Sequence, residues 1–344
     1  MTPRQRVLNA ICRRGRGEFP IQLDVTDRAL QQLGTRWGFE QSPESRFTVL
    51  HNHLVFAKPD SHQIGDEGGP GDTHTDAWNV KWATDQEGVW VRDHPAALCE
   101  DLRSYRAPDV CSRMEWESVA GAVRRYSGDF CVVGYQNALL FERAWSLRGF
   151  ERLLLDMADD LAGVEAFLDM ITDAQIRVAQ RFVAFGIDVA RTGDDWGGQQ
   201  DMLFAPDLWR RLIRPRLQAV WKVYQAHNIP IIHHSCGDIR PVLDDLVELG
   251  LDVLNPVQPE AMPLERIASR YGSHLSFYGG ISEQKVLSFG TPADIKTEVQ
   301  HCVDLLGKHG GYIIAPSQAV LSDVPAENVR ALLDAMLMYC DSKG

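Results

Sequence analysis

His234-Ser-Cys236 sets an imidazole and a thiol two residues apart, at the end of the apolar run Ile229–His234 (IPIIHH). Residues two apart on an extended chain point the same way, so these two side chains can meet one ion. Zinc suits mixed nitrogen and sulfur ligands, and catalytic zinc keeps a position open for substrate. The competing structural reading makes Cys236 a small buried apolar residue and His234 a hydrogen-bonded one. His233 faces the other way and is expected to be structural. A second cluster is Asp194-Asp195-Trp196-Gly197. Adjacent carboxylates there offer a base, a metal ligand or a substrate contact, with a helix or loop cap as the plainer role. Two of them at one site disfavour double ionisation and raise one pKa. Asp60 has the same two readings. Asp60-Ser-His62-Gln-Ile-Gly65 also fits the D-x-H-x-x-G pattern of corrinoid-binding modules, but a Pro/Gly-rich loop follows it where such modules have a helix.

These residues need elements to position them. Eight short apolar runs are candidate strands: Phe19–Asp24, Asn52–Ala57, Phe130–Tyr135, Ile187–Thr192, Ile229–His234, Asp252–Pro256, Leu275–Gly279 and Gly311–Ala315. They show no polar–apolar alternation, which suits strands covered on both faces, as in parallel sheets. The segments between them read as helices. One runs from Pro206 to about His227, with Pro215 kinking it. Another opens at Thr291, a natural N-cap. Trp145–Phe185 is too long for one ordinary helix and is expected to break near Ala162-Gly163. The alternation predicts an α/β fold, a (β/α)8 TIM barrel over residues 1–344 as one domain. A doubly wound open sheet is the alternative, weakened because no Gly-rich phosphate fingerprint follows an early strand. Residues 58–117 break the rhythm and read as an excursion over the barrel mouth, with a loop, a small hairpin and a return helix.

In such a barrel the active site lies at the C-terminal ends of the strands. That rule selects Gln22 and Asp24, Asp60, Tyr135 and Asn137, Asp194 and Asp195, His234 and Cys236, Asn255 and Gln258, and Ser317 and Gln318. Tyr135, Asn137, Asn255, Gln258 and Gln318 are expected to contact substrate. The bulk numbers narrow the partners. A net charge of −12 argues against nucleic acid or an anionic membrane. Seven cysteines without a CxxC pair point to a reducing, cytoplasmic setting rather than a disulfide framework. The N-terminus reads as no secretory signal, and no apolar run approaches the ~20 residues of a membrane span.

The stretches GIDVARTGDDWGGQ, PDLWRRLIRPRL, HHSCGDI, LGLDVLNPVQPEA and GGYIIAPS with DVPAENVRAL together resemble the uroporphyrinogen decarboxylase superfamily, from about Phe130 to the C-terminus. The resemblance implies a distorted (β/α)8 barrel and two chemistries. The decarboxylases remove carboxylates without a cofactor and carry an arginine-rich segment after the first strand. Here that segment is Leu23-Asp-Val-Thr-Asp-Arg28, and Asp60 is a loose counterpart of their acid after the second strand. The methyltransferases bind zinc through His-x-Cys and a later cysteine, and exchange methyl groups with a corrinoid often carried on a separate protein. His234 and Cys236 match the first two ligands, and Ser317 or Gln318 stands where the third is expected. A zinc-assisted methyltransferase with Asp195 as ligand or base is therefore the first expectation. A cofactor-free decarboxylase with Asp60 or Asp194 handling protons is the second, and a non-enzymatic corrinoid carrier the third. A homodimer is implied by the resemblance alone.

Overall fold

The computed structural model describes residues 1–15, 17–40, 42, 44–59, 71–84 and 88–340. Asp60 and the D-x-H-x-x-G stretch therefore lie outside the described residues. Ten strands occur in chain order: β1 (Leu54–Ala57), β2 (Thr73–Thr75), β3 (Lys81–Thr84), β4 (Val89–Asp93), β5 (Cys131–Gln136), β6 (Val189–Gly193), β7 (Ile231–His234), β8 (Val253–Val257), β9 (Ser276–Ile281) and β10 (Tyr312–Pro316). Seven form one parallel, curled sheet in the order β1-β5-β6-β7-β8-β9-β10, with helices between successive strands.

The eighth expected strand, Phe19–Asp24, is not a regular one. It makes one isolated bridge, Ile21 to Ile314, and Val25 just beyond it makes another to Val320. It still closes the ring. The Ile314 amide donates to Pro20 O and the Gln22 amide to Ile314 O, while the His53 amide donates to Ile21 O at 3.2 Å. Proline at position 20 has no N–H to give. Side chains complete the join to β1. Asn52 bonds both backbone groups of Leu23, accepting at 2.7 Å and donating at 3.0 Å, and Gln22 Oε1 accepts from the Leu54 amide at 3.1 Å.

Side chains sort by strand parity. Val133, Val189, Ile232, Val253 and Ile313 pack inside, and the helix Pro3–Ile11 plugs the lower end with Val7, Ala10 and Ile11. A capping box between Thr2 and Gln5 starts that helix, and Arg4 pairs with Asp188 at 2.8 Å. Ala190, Ile231, Leu254 and Phe277 face outward into the larger core shared with the helices.

The helices bear out two expectations and correct one. The helix expected from Pro206 to about His227 with a kink at Pro215 is instead two helices, Pro206–Leu212 and Arg214–Gln225, with Pro215 in the first turn of the second. Thr291 caps Pro292–Leu306 with a full capping box. The long segment breaks at Asp160, near the expected Ala162-Gly163, and a second time at Gly149, giving Phe141–Arg148, Phe150–Asp159 and Leu161–Phe185. Asp160 is the N-cap, and its carboxylate accepts from the Gly163 amide at 3.1 Å. A Cβ on Gly163 would lie 2.3 Å from that carboxylate, so the glycine serves the cap that starts the new helix.

The described part of the 58–117 excursion holds a three-stranded antiparallel sheet, β2-β3-β4, followed by the short helices Leu102–Ser104 and Val110–Arg113. Asp76 organises its turn. Its Oδ1 accepts from the Trp78 and Val80 amides, and its Oδ2 from the Trp82 indole and Arg143. The Arg143–Asp76 pair is fully buried at 2.6 Å and ties this sheet to the helix Phe141–Arg148. Among the described residues no helix is long and apolar enough to cross a membrane.

Candidate active site

The register of the sheet sets Gly193 beside His234 and His234 beside Asn255 at the upper rim. Beyond that rim the chain after β6 and the chain after β7 pass backbone to backbone. Gly237 has φ +77, and a Cβ there would lie 2.4 Å from the carbonyl of Gly197. Only glycine fits such an approach at positive φ. The Asp238 amide donates to Gly198 O at 2.7 Å, and the Gly237 amide to Gln258 Oε1 at 2.9 Å. This crossing brings Asp195 from β6 to Cys236 from β7, and the Cys236 amide donates to Asp195 Oδ1 at 2.8 Å.

Asp195, His234 and Cys236 are all half-buried, and their ligand atoms lie within 4.8 Å of one another. Cys236 Sγ is 3.4 Å from His234 Nε2, which is 3.9 Å from Asp195 Oδ1. His234 Nδ1 meets Asn255 Oδ1 at 2.7 Å, and Asn255 in turn donates to Tyr278 O at 3.1 Å. An amide oxygen only accepts, so this contact puts the imidazole proton on Nδ1. The Nε2 lone pair is thereby left facing the thiol and the carboxylate, an arrangement that outer partners commonly enforce at metal-ligating histidines.

Parity separates the paired residues. His233 turns outward, stacked on Trp196 at 4.8 Å and bonded to Thr192 at 2.8 Å, as expected of a structural residue. Asp194 also turns outward. It is fully buried, and its oxygens accept from the Phe141 and Glu142 amides and the Trp196 indole. It caps the helix Phe141–Arg148 and holds Asp195 by the backbone. Asn255 and Gln258, expected against substrate, are engaged in orienting His234 and Gly237. Ser317 turns toward the Glu283 amide, whereas Gln318 donates to Cys236 Sγ at 3.5 Å. Tyr135 and Asn137 line the inner wall, both against Arg191. The guanidinium lies over the Tyr135 ring at 4.6 Å and donates to Asn137 Oδ1 at 3.1 Å.

Three residues of this region escape a rim-based reading. Arg191 sits inside β6, where a charged residue in an apolar strand was the available signal. Glu142 opens a helix, and its carboxylate receives the Asp195 amide. Tyr278 reaches Asp24 from β9 with its hydroxyl, at 3.2 Å.

Burial dominates the electrostatics. It brings His234 down to about 4, with the Arg191 charge adding to it. It pushes the Cys236 thiol up, helped by Asp195 and Glu142. Burial, Asp195 and Asp194 together hold Glu142 well above the carboxylate range. Metal-free protein therefore carries a neutral imidazole near neutral pH, and the cluster of acids favours a cation over a free thiolate. An unfolded histidine binds its proton at about 6.5 and this one at about 4, so the unfolded state holds more protons between those values. His234 thus lowers stability as pH falls through that window and has no effect above it. Asp194, raised to about 6 by burial, works in the opposite sense as it takes up its proton. Comparison with a variant isolates the imidazole. Urea midpoints of metal-free protein at pH 7.5, 6 and 5 should fall more steeply for the wild type than for His234→Gln. Parallel slopes would refute the assignment.

Comparison with known proteins places the chain in a family. The family model for uroporphyrinogen decarboxylase (URO-D) matches residues 81–339. The chain belongs to the uroporphyrinogen decarboxylase family. It is 27% identical over 198 residues to a methylcobamide:CoM methyltransferase, MtaA, of Methanosarcina barkeri, covering 53% of this chain and 55% of that protein. The chain thus spans about half the length of that relative. It is 21% identical over 251 residues to the uroporphyrinogen decarboxylase of Actinobacillus succinogenes, covering 71% of this chain and 69% of that one. A solved methyltransferase from Methanosarcina mazei shares the fold, with a TM-score of 0.75 and 21% identity over 99% of this chain and 100% of its own. The distorted barrel expected from the family resemblance is thereby established, with its closure corrected as above.

Proposed function

We propose that this family member is a zinc-dependent methyltransferase that moves a methyl group between a small donor or corrinoid and a thiol acceptor. The observation that carries this reading is the convergence of Asp195, His234 and Cys236 on one point, with His234 held in its Nε2-ligating tautomer by Asn255. Oxygen, nitrogen and sulfur donors at this spacing fit zinc, and three protein ligands leave one position for an acceptor. Asp195 supplies the third ligand that neither Ser317 nor Gln318 offers. Bound there, zinc supplies the Lewis-acid charge that lowers the pKa of an acceptor thiol.

The chain's own residues do the rest. Asn255 fixes the imidazole, and Gln318 donates to the Cys236 sulfur and stabilises its thiolate form. The Gly197–Gly237 crossing holds the two loops in contact, so the carboxylate and thiol stay together without an ion. The sequence Leu23–Arg28 lacks an arginine cluster, which argues against a porphyrinogen with many carboxylates. The relative's name as a methylcobamide:CoM methyltransferase supports a corrinoid as methyl donor.

Methyl loss from methylcobalamin, followed by absorbance in the presence of a small thiol, tests the reading. Turnover should vanish with chelator and return with zinc. Turnover of a carboxylic acid that survives chelation would favour the cofactor-free decarboxylase instead.

A further inference from the structure

Arg191 is 7% exposed, inside β6 and one position down the inner wall from Gly193 in the inward-facing series. Its guanidinium has five donors. One is matched, by Asn137 Oδ1 at 3.1 Å. Among the described residues no carboxylate lies within ion-pair distance of it. The nearest acids are engaged elsewhere. Asp24 is held by Gln22 and Tyr278, and Asp195 by the Cys236 amide. Its other contacts are ring faces, Tyr135 at 4.6 Å and Phe56 at 5.9 Å. None of its nitrogens is both fully sealed and unbonded, unlike those of Arg143 and Arg216, so its remaining donors open onto the barrel interior. The charges of Asp24 and Asp195 help to hold it charged from a distance, but neither pairs with it directly, and a buried guanidinium favours a hydrogen-bonded anion.

We infer that Arg191 is the residue that binds a carboxylate of the substrate, in a subsite walled by Tyr135 and Asn137. A planar fork with free parallel donors matches a carboxylate in two-point fashion better than any spherical anion. Asn137 holds one edge of the fork, and the Tyr135 ring keeps it flat. Gly193 makes room for this, since a Cβ there would lie 1.8 Å from Asn137 Oδ1. Neighbouring strands lie about 4.8 Å apart, so the β5 wall and His234 on β7 are separated by roughly 10 Å. Arg191 on β6 and His234 on the neighbouring β7 both face inward, so an acid held by the fork has its other end beside the Asp195–His234–Cys236 point. The inference rests on the proposed site for where the reacting end lies, but its binding half stands alone.

The test is saturation-transfer NMR on the full chain loaded with zinc, titrating propionate against propionamide. These differ in charge and little in size. Propionate should bind at least about tenfold tighter, the effect of one charge-assisted pair. In Arg191→Met that preference should vanish while zinc content stays unchanged. Arg191→Lys, which keeps the charge and loses the fork, should show an intermediate preference, and it keeps the test readable if the methionine variant does not fold. Equal binding by the wild type, or a preference that survives in a folded Arg191→Met, would overturn the inference. Either result leaves zinc binding and methyl transfer untouched. Loss of zinc from the wild type with the Arg191-dependent preference intact would instead sink the proposed function alone.

Discussion

Cys236→Ser should strip zinc from the protein if the proposed centre is correct. Wild type purified without a metal-binding tag should carry about one zinc per chain, and the serine variant less than about a tenth, as measured by elemental mass spectrometry. The reason is the donor count. Three side chains converge, and the thiol is the one soft donor among them. Serine keeps the shape and replaces the thiolate with a neutral hydroxyl that zinc has little use for. Asp195→Ala and His234→Ala should do the same from the oxygen and nitrogen sides. Asn255→Ala is the more discriminating change, because it leaves every ligand in place and frees the His234 tautomer. Loss of such an outer partner commonly costs 10–100-fold in metal affinity, approximately, readable by competition with a coloured chelator. Wild type without zinc, and unaffected by any of these changes, would remove the metal centre from consideration.

The second large effect lies away from the chemistry. Asp76→Ala should destabilise the protein by about 3–5 kcal/mol, the cost of leaving a buried charge without its partner. Its carboxylate is fully buried and takes four donors, one of them the Arg143 guanidinium at 2.6 Å. Removing it strands Arg143 in the core and frees two amides and the Trp82 indole. Urea unfolding measures the change, and Asp76→Ala with Arg143→Met should cost less than the two singles together. A single-variant cost below about 1 kcal/mol would mean that the pair behaves like a surface ion pair. Arg143 sits on the helix capped by Asp194, so loss of this anchor should also loosen the loop that carries Asp195.

Much of this was legible from residue order. The apolar runs marked seven strands, because parallel strands sealed on both faces need continuous hydrophobicity. The alternation of His233 and His234 could be read directly, and the structure sorts them as parity requires. The same parity rule, applied to Asp194 and Asp195, would have turned Asp194 outward to its helix. These residues lie past the strand, where alternation need not continue, so spacing alone does not fix their sides. Asn255 and Gln258 were correctly placed at the rim, but which rim residues face substrate and which face each other depends on χ angles that no spacing encodes. Arg191 was hidden by the opposite habit, since the rim rule looks past the strand ends and not inside them. The segment Phe19–Asp24 looked like a strand by composition. Its proline and its flanking amides mark it as something else only once the partners are known.

That segment has a consequence for how the chain can drift. A ladder bond is made by the peptide unit, so every residue but proline can supply it, and the seven regular strands tolerate exchange of side chains at those bonds. Where the ring meets itself, Gln22 and Asn52 stand in for peptide units. Beside one backbone bond from His53 to Ile21, closure there is written in particular side chains. The circle is thus robust to mutation nearly all the way round and brittle at the one place where its ends are joined.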